Sequence, residues 1–206
     1  MSNSFYHQRY SLTKEQEEIV QPLLPAPKST GRPCLNPLTV FNAILWILSS
    51  GASWRDLSTH SVNRNSIYHK FRQWCSLNLF DNILKALVVD TDKYQHAAGA
   101  RKILGNQAIG VSRDGKTTKI HALVTENFQL IRLLLTGGQI HDSECAVELL
   151  SKVKKHDFDC ELYKVRNIIE RFFLRIKNHR HIATRYDKLL TCFENFVLLA
   201  AIMIQI

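Results

Sequence analysis

Nine consecutive apolar residues, FVLLAAIMI at 196–204, constrain this chain more than any other feature. The run is about half the ~20 residues needed to cross a bilayer, and too apolar to lie on a wet surface. It is expected to form a buried helix, so the rest of the sequence must supply elements that cover it. A chain of 206 residues with 45% hydrophobic content has the material for such a core. The N-terminus lacks the apolar stretch of a signal peptide. Five cysteines, Cys34, Cys75, Cys145, Cys160 and Cys192, are odd in number and form no C-x-x-C pair. That usage points to a reducing compartment rather than a disulfide framework or zinc knuckle. A cytoplasmic protein with no membrane segment is the expectation.

The covering elements can be read in order. Thr13 and Gln16 have capping-box spacing, placing a helix from Lys14 to before Pro25. Asn36 and Pro37 read as N-cap and first helical residue of a segment that ends at Gly51. A short helix from about Trp54, a turn over 59–63 and a longer helix through Trp74 follow, then another near 78–87. In the longer helix Ile67, Phe71 and Trp74 share one face, while Arg64, Lys70 and Arg72 lie off it. This is the pattern of a helix-turn-helix DNA reader, and equally of a three-helix core with a basic surface. ALVVD, QAIGVS, TKIHALVT and LIRLLLTGG are then short, β-rich and separated by turn residues, as in an antiparallel meander. SECAVELLSKV returns to helical spacing, capped by Asp142 or Ser143, and the chain is helical again from Tyr163. The expected fold class is α/β: a helical domain over 1–85, then an α/β domain over 86–206.

The net charge of +9 favours a polyanionic partner. The bias is concentrated in YKVRNIIERFFLRIKNHRHIATRYDK, 163–188, where eight Lys and Arg accompany only Glu170 and Asp187. Advancing about 100° per residue on a helix puts Tyr163, Arg166, Glu170 and Lys177 on one stripe. Leu162, Val165, Ile168, Ile169, Phe172, Phe173 and Ile176 lie opposite as an apolar face. A lone carboxylate among arginines is either a surface ion-pair partner or a hard oxygen ligand for a divalent cation beside phosphate-binding cations.

Tyr163, Arg166, Glu170 and Lys177 fall at Y-x2-R-x3-E-x6-K, the signature of bacterial insertion-sequence transposases of the DDE type. AIGVSRDGKTTKIHALV resembles that family's G-x-S-R-G-G-x-T-T-K-I-H block. RHIATRYDKL is similar to the segment after its catalytic helix, and LTKEQEEIVQPLLP with GRPCLNPLTVFNAILWILSSGASWRDL resembles its N-terminal DNA-binding domain. The likeness covers nearly the whole chain and is greatest to the IS-five branch.

The resemblance implies an RNase H-like sheet carrying two aspartates, a helix carrying a glutamate, and Mg²⁺ or Mn²⁺ held between them for cleavage and transfer of DNA strands. Glu170 matches the glutamate, and Tyr163, Arg166 and Lys177 its phosphate-positioning companions. ALVVDTDKYQHAAGA matches the first catalytic strand, making Asp90 the first carboxylate and metal ligand, with Asp92 the alternative. Arg64, Lys70 and Arg72 become DNA contacts. The implied partners are double-stranded DNA, both the element's terminal inverted repeats and the target, and further copies of the chain on that DNA at the nucleoid.

One part of the family pattern is missing. The strand ending Ala-Asp-x-x-Tyr-Asp, which carries the second aspartate, is absent between GGQIHDSECAVELLSKV and KKHDFDCELYKVRNIIERFF. An internal deletion is the simplest account, and the RNase H-like domain is then truncated. Asp142 belongs to the G-G-Q block and reads as a helix N-cap; Asp157 and Asp159 lie just before the catalytic helix. His121, within TTKIH, reads as a packed strand residue rather than a metal ligand, and SRDGKTT as a hairpin turn or a phosphate contact. The expected protein is a transposase that binds element ends but is catalytically defective, or a DNA-binding remnant that only competes with an intact enzyme.

Overall fold

The computed structural model describes residues 10–26, 35–60, 63–87, 107–112, 115–150 and 167–206. Helix α1 runs Lys14–Val20 behind the expected capping box, with Thr13 Oγ1 accepting from the Gln16 N–H and Gln16 Oε1 from the Thr13 N–H. A 3-10 turn, Gln21–Leu23, contains Pro22 and finishes the helix, since proline supplies no N–H to the α ladder. Helix α2, Pro37–Ser50, is capped by Asn36 Oδ1, which accepts from the Leu38 N–H at 2.8 Å. It ends at Gly51 with φ 66, a left-handed conformation that suits glycine. A Cβ at Gly51 would also lie 2.8 Å from the Arg180 Cβ, so the same residue admits a distant helix.

A second 3-10 turn, Trp54–His60, leads to α3, Arg64–Ser76, whose N-cap Asn63 accepts from the N–H groups of Asn65 and Ser66. Helix α4, Leu79–Leu87, completes the N-terminal helices. The expected faces are observed: Ile67, Phe71 and Trp74 are buried, and Arg64 and Arg72 are exposed.

The β-rich block forms a three-stranded antiparallel sheet in the order β1-β2-β3 among the described residues: β1 Gly110–Ser112, β2 Gly115–Val124 and β3 Leu130–Gly137. Ile120 faces Leu135 and Ala122 faces Leu133, with an irregularity at Leu123/Val124. The ALVVD segment lies largely outside the described residues. Helix α5 spans Asp142–Leu150 and α6 spans Asn167–Lys177. A one-turn helix α7, Arg180–Ala183, precedes α8, Leu190–Gln205. Asp142 is the first residue of α5 rather than its cap. His141 occupies the preceding position, its Nδ1 2.8 Å from Ser143 Oγ, because the Asp142 carboxylate is drawn to Lys119 instead.

The apolar run 196–204 lies inside α8, whose residues Phe196, Val197, Leu199, Ala200 and Ile202 are almost wholly excluded from solvent. Helix α8 packs against α2, α3, α4 and α6. Phe196 lies 4.7 Å from Phe71 and 6.1 Å from Trp54, ring centre to ring centre. One core therefore takes in Phe41 and Ile44 of α2, Phe71 of α3, Phe80 of α4, Leu130 of β3, Phe172 of α6 and the length of α8. No helix among the described residues is long and apolar enough to cross a membrane.

Candidate functional site

Helix α6 brings two kinds of residue to the surface. Phe172 and Ile176 point into the core, as the apolar stripe requires, while Glu170, Arg171, Arg175 and Lys177 are exposed. Ile169 and Phe173 are half-buried at the margin. Arg171 and Arg175 do not stand free in solvent. Their guanidinium carbons lie 5.3 and 4.2 Å from the centre of the Phe128 ring, at the β2–β3 turn. Cation–π attraction thus ties these two arginines to the hairpin, and Gln205 of α8 holds the same turn by donating from Nε2 to the Phe128 carbonyl at 2.8 Å.

A cleft of about 770 Å³ opens between β2, the C-terminal half of α6 and the segment 182–193. From β2 it receives Lys116, Thr118, Lys119 and His121; from α6, Phe173 and Lys177; from α5, Asp142; and from the last segment, Arg185 and Lys188. Glu170 sits about two turns N-terminal to Lys177 and is not among the lining residues. Lys119 Nζ donates to Asp142 Oδ1 at 2.9 Å and to the Ile140 carbonyl at 2.8 Å. The ammonium holds the Asp142 carboxyl below its ordinary pKa. His121 Nε2 is 2.9 Å from Thr136 Oγ1 on the neighbouring strand, and burial lowers its pKa. It is a packed strand histidine, as its sequence context indicated.

A second cleft of about 560 Å³ lies beside α3. Its walls carry Trp54, Arg55, Arg64, Asn65 and Tyr68 on one side and Tyr186, Asp187, Lys188 and Leu189 on the other. Arg72 is hydrogen-bonded to the Tyr68 side chain, which raises the guanidinium pKa. Lys70 Nζ donates to Gln73 Oε1 at 3.2 Å. The exposed side of α3 is thus Arg64, Asn65, Ser66, His69, Arg72 and Gln73, a set rich in side chains that hydrogen-bond base edges and phosphates.

The segment shared by the two clefts was not singled out by sequence reasoning beyond its likeness to RHIATRYDKL. Its anchor is a buried pair: His181 Nε2 is 2.6 Å from Asp187 Oδ2, with His181 2% exposed. Arg185 fixes the rest, donating from Nε to the Asp187 carbonyl at 2.9 Å, from one terminal nitrogen to Thr118 Oγ1 at 2.6 Å, and from the other to the Lys188 carbonyl at 3.3 Å. A histidine and an aspartate six residues apart, with arginine between them, was the available signal.

Asp90, Asp92, Asp157, Asp159, Tyr163 and Arg166 lie outside the described residues. Among those described, no group of three or more His, Cys, Asp or Glu could hold a metal ion. Of the two carboxylates that line the cleft, Asp142 is engaged by Lys119 and Asp187 by His181. The described residues therefore do not by themselves fit a two-metal centre.

Residues 12–84, which span α1 to α4, match the family model described as "Putative transposase of IS4/5 family". Over this stretch the chain is similar to insertion-sequence transposases. It is 52% identical over 46 residues to the "Putative transposase for insertion sequence element IS6501" of Brucella ovis, a match covering 22% of this chain and 35% of that transposase. It is also 27% identical over 109 residues to the uncharacterized protein y4sN of Sinorhizobium fredii, covering 47% of this chain and 87% of y4sN. No solved structure matches. The family match includes all of α3.

Proposed function

We propose that this chain is an insertion-sequence DNA transposase that binds the ends of its element through α3 and whose strand-cleavage centre is incomplete. The observation that carries the reading is the match of 12–84 to IS4/5-type transposases, together with an α3 that buries Ile67, Phe71 and Trp74 and exposes Arg64, Asn65, His69, Arg72 and Gln73. In helix-turn-helix proteins a helix of that make-up enters the major groove, where Arg and Asn read base edges and Lys contacts phosphate. Arg64, Lys70 and Arg72 are assigned that role. Residues 1–85 form the DNA-binding part and 86–206 the truncated RNase H-like part.

In the catalytic part, Asp90 and Glu170 are the two carboxylates retained from the DDE set. Tyr163, Arg166 and Lys177 position phosphates, and the chain binds DNA as a homo-oligomer. The missing strand and the engagement of Asp142 by Lys119 leave the carboxylate set short by one, so strand cleavage is not expected. A second reading is a remnant that binds element ends and competes with an intact enzyme. It differs only in its consequence in the cell.

The test incubates the purified full chain with a duplex bearing the element's terminal repeats, in Mg²⁺ or Mn²⁺, beside a version with the missing strand restored from an intact relative. Binding by both and nicking by the restored version alone is the expected result. Nicking by the unrestored chain that Asp90→Ala abolishes would overturn the defect, and no preference for the repeats would overturn element-end binding.

A further inference from the structure

The clefts beside α3 and beside β2 have a wall in common: Tyr186, Asp187 and Lys188 line both. We propose that this segment is a ridge joining the two clefts into one track, so that a duplex bound at α3 is also held by Lys188 on the ridge and Lys116 on β2. The inference rests on the DNA-binding reading above and adds to it residues, Lys116, Tyr186 and Lys188, that neither the family signature nor the α3 pattern includes.

Charge is the first argument. The acidic side chains of the two clefts are already engaged, Asp142 by Lys119 at 2.9 Å and Asp187 by His181 at 2.6 Å. Arg64, Lys116, Lys177 and Lys188 form no ion pair among the described residues, and Arg64, Lys116 and Lys188 are exposed. These cations occur in both clefts and on the ridge between them. A small anion would satisfy one cleft, whereas cations distributed along joined grooves match a partner with a continuous line of phosphates.

Rigidity is the second argument. The His181–Asp187 pair and the Arg185 bonds to Thr118 and to the ridge's own carbonyls anchor the backbone to α7 and β2. Lys188 and Tyr186, the latter 58% exposed, are therefore presented from a fixed support, and little ordering remains to oppose binding. One exposed aromatic on the ridge is too few for the serial base stacking that single strands use. Duplex DNA is accordingly the assigned occupant.

The experiment measures fluorescence anisotropy of the full chain with a labelled duplex of about 30 base pairs carrying the terminal repeat, across 50 to 200 mM salt. The variants are Lys188→Glu, the double variant Lys116→Glu/Lys188→Glu, Arg72→Ala, and a control, Arg180→Glu, an exposed cation of α7 that lines neither cleft. Far-ultraviolet circular dichroism checks that each variant folds. The double variant is expected to lose at least tenfold in affinity at 50 mM salt and to reduce the salt slope by about 0.9 per lost phosphate contact, while Arg180→Glu changes affinity less than twofold. A double variant no weaker than Arg180→Glu, with Arg72→Ala still impaired, would sink the ridge and leave the α3 reading standing. Failure of the unaltered chain to bind would instead overturn the parent reading. Stronger competition by a single strand than by the duplex would overturn the choice of occupant.

Discussion

Lys119 and Asp142, 23 residues apart in sequence, meet at 2.9 Å and join the middle of β2 to the first turn of α5. The ammonium neutralises the carboxylate, which leaves it poorly suited to hold a divalent cation. Asp142→Asn is therefore expected to leave divalent-metal affinity unchanged when followed by titration calorimetry with Mn²⁺. Because the Asp142 side chain is 74% exposed, the loss of stability should be small, under about 1 kcal/mol. The depressed carboxyl pKa contributes stability above the unfolded value, lost as pH falls through the folded one. A large drop in metal binding would restore Asp142 as a ligand.

Phe172 and Glu170 are neighbours on α6 with opposite environments, the first with no solvent exposure and the second exposed. Phe172→Ala should cost roughly 3 to 5 kcal/mol, as for a buried aromatic. Glu170→Gln should change stability by no more than about 0.5 kcal/mol. Urea denaturation of both variants checks the contrast, and comparable losses would make Glu170 a structural residue.

Asp187→Asn should loosen the ridge by removing the charge opposite buried His181. A loss of about 1 to 3 kcal/mol is expected for a buried polar group left poorly paired. That corresponds to a fall in Tm of several degrees for a chain of this size. The same variant should make amides of 184–189 exchange faster while those of α2 stay protected. Uniform acceleration across the chain would show that the pair supports the whole core rather than the ridge.

His179 and His121 set a pH dependence with a definite sign. Burial lowers the pKa of both, and His179 Nδ1 lies 3.0 Å from Ser49 Oγ on α2. Since the unfolded imidazole titrates near 6.5, the unfolded chain takes up these protons first as pH falls. Stability is thus fully present above about pH 6.5 and is lost as pH falls through the depressed folded values. His179→Gln should flatten the fall in urea midpoint between pH 7.5 and 5.5. An unchanged slope would place the sensitivity elsewhere.

Local signals in the sequence carried far. Thr13, Asn36 and Gly51 mark helix ends because their side chains, or lack of one, answer a backbone need close by in the chain. The same locality made the meander legible, and the 3.6-residue period foretold that Phe172 would be buried and Glu170 exposed. What escaped were relationships that no short window contains. Asp142 read as an N-cap because its true partner, Lys119, lies on another element. The stacking of Arg171 and Arg175 on Phe128 escaped because that ring arrives from a hairpin 43 residues before Arg171. Lys116, Arg185 and Lys188 became a group only through the cleft that assembles them.

The position of α8 has a consequence for how the protein comes into being. Phe41, Phe71 and Phe80 are sealed by residues near the other end of the sequence, Phe196 among them. While the ribosome works from Leu87 to Ile202, roughly 6 to 23 s at synthesis rates of about 5 to 20 residues per second, those helices carry an uncovered apolar face. A message cut short before α8 would leave them without their closing piece, a target for chaperones and proteases. Synthesis through α8 is in this sense a checkpoint, because only a chain read that far has the core that holds α3 in place.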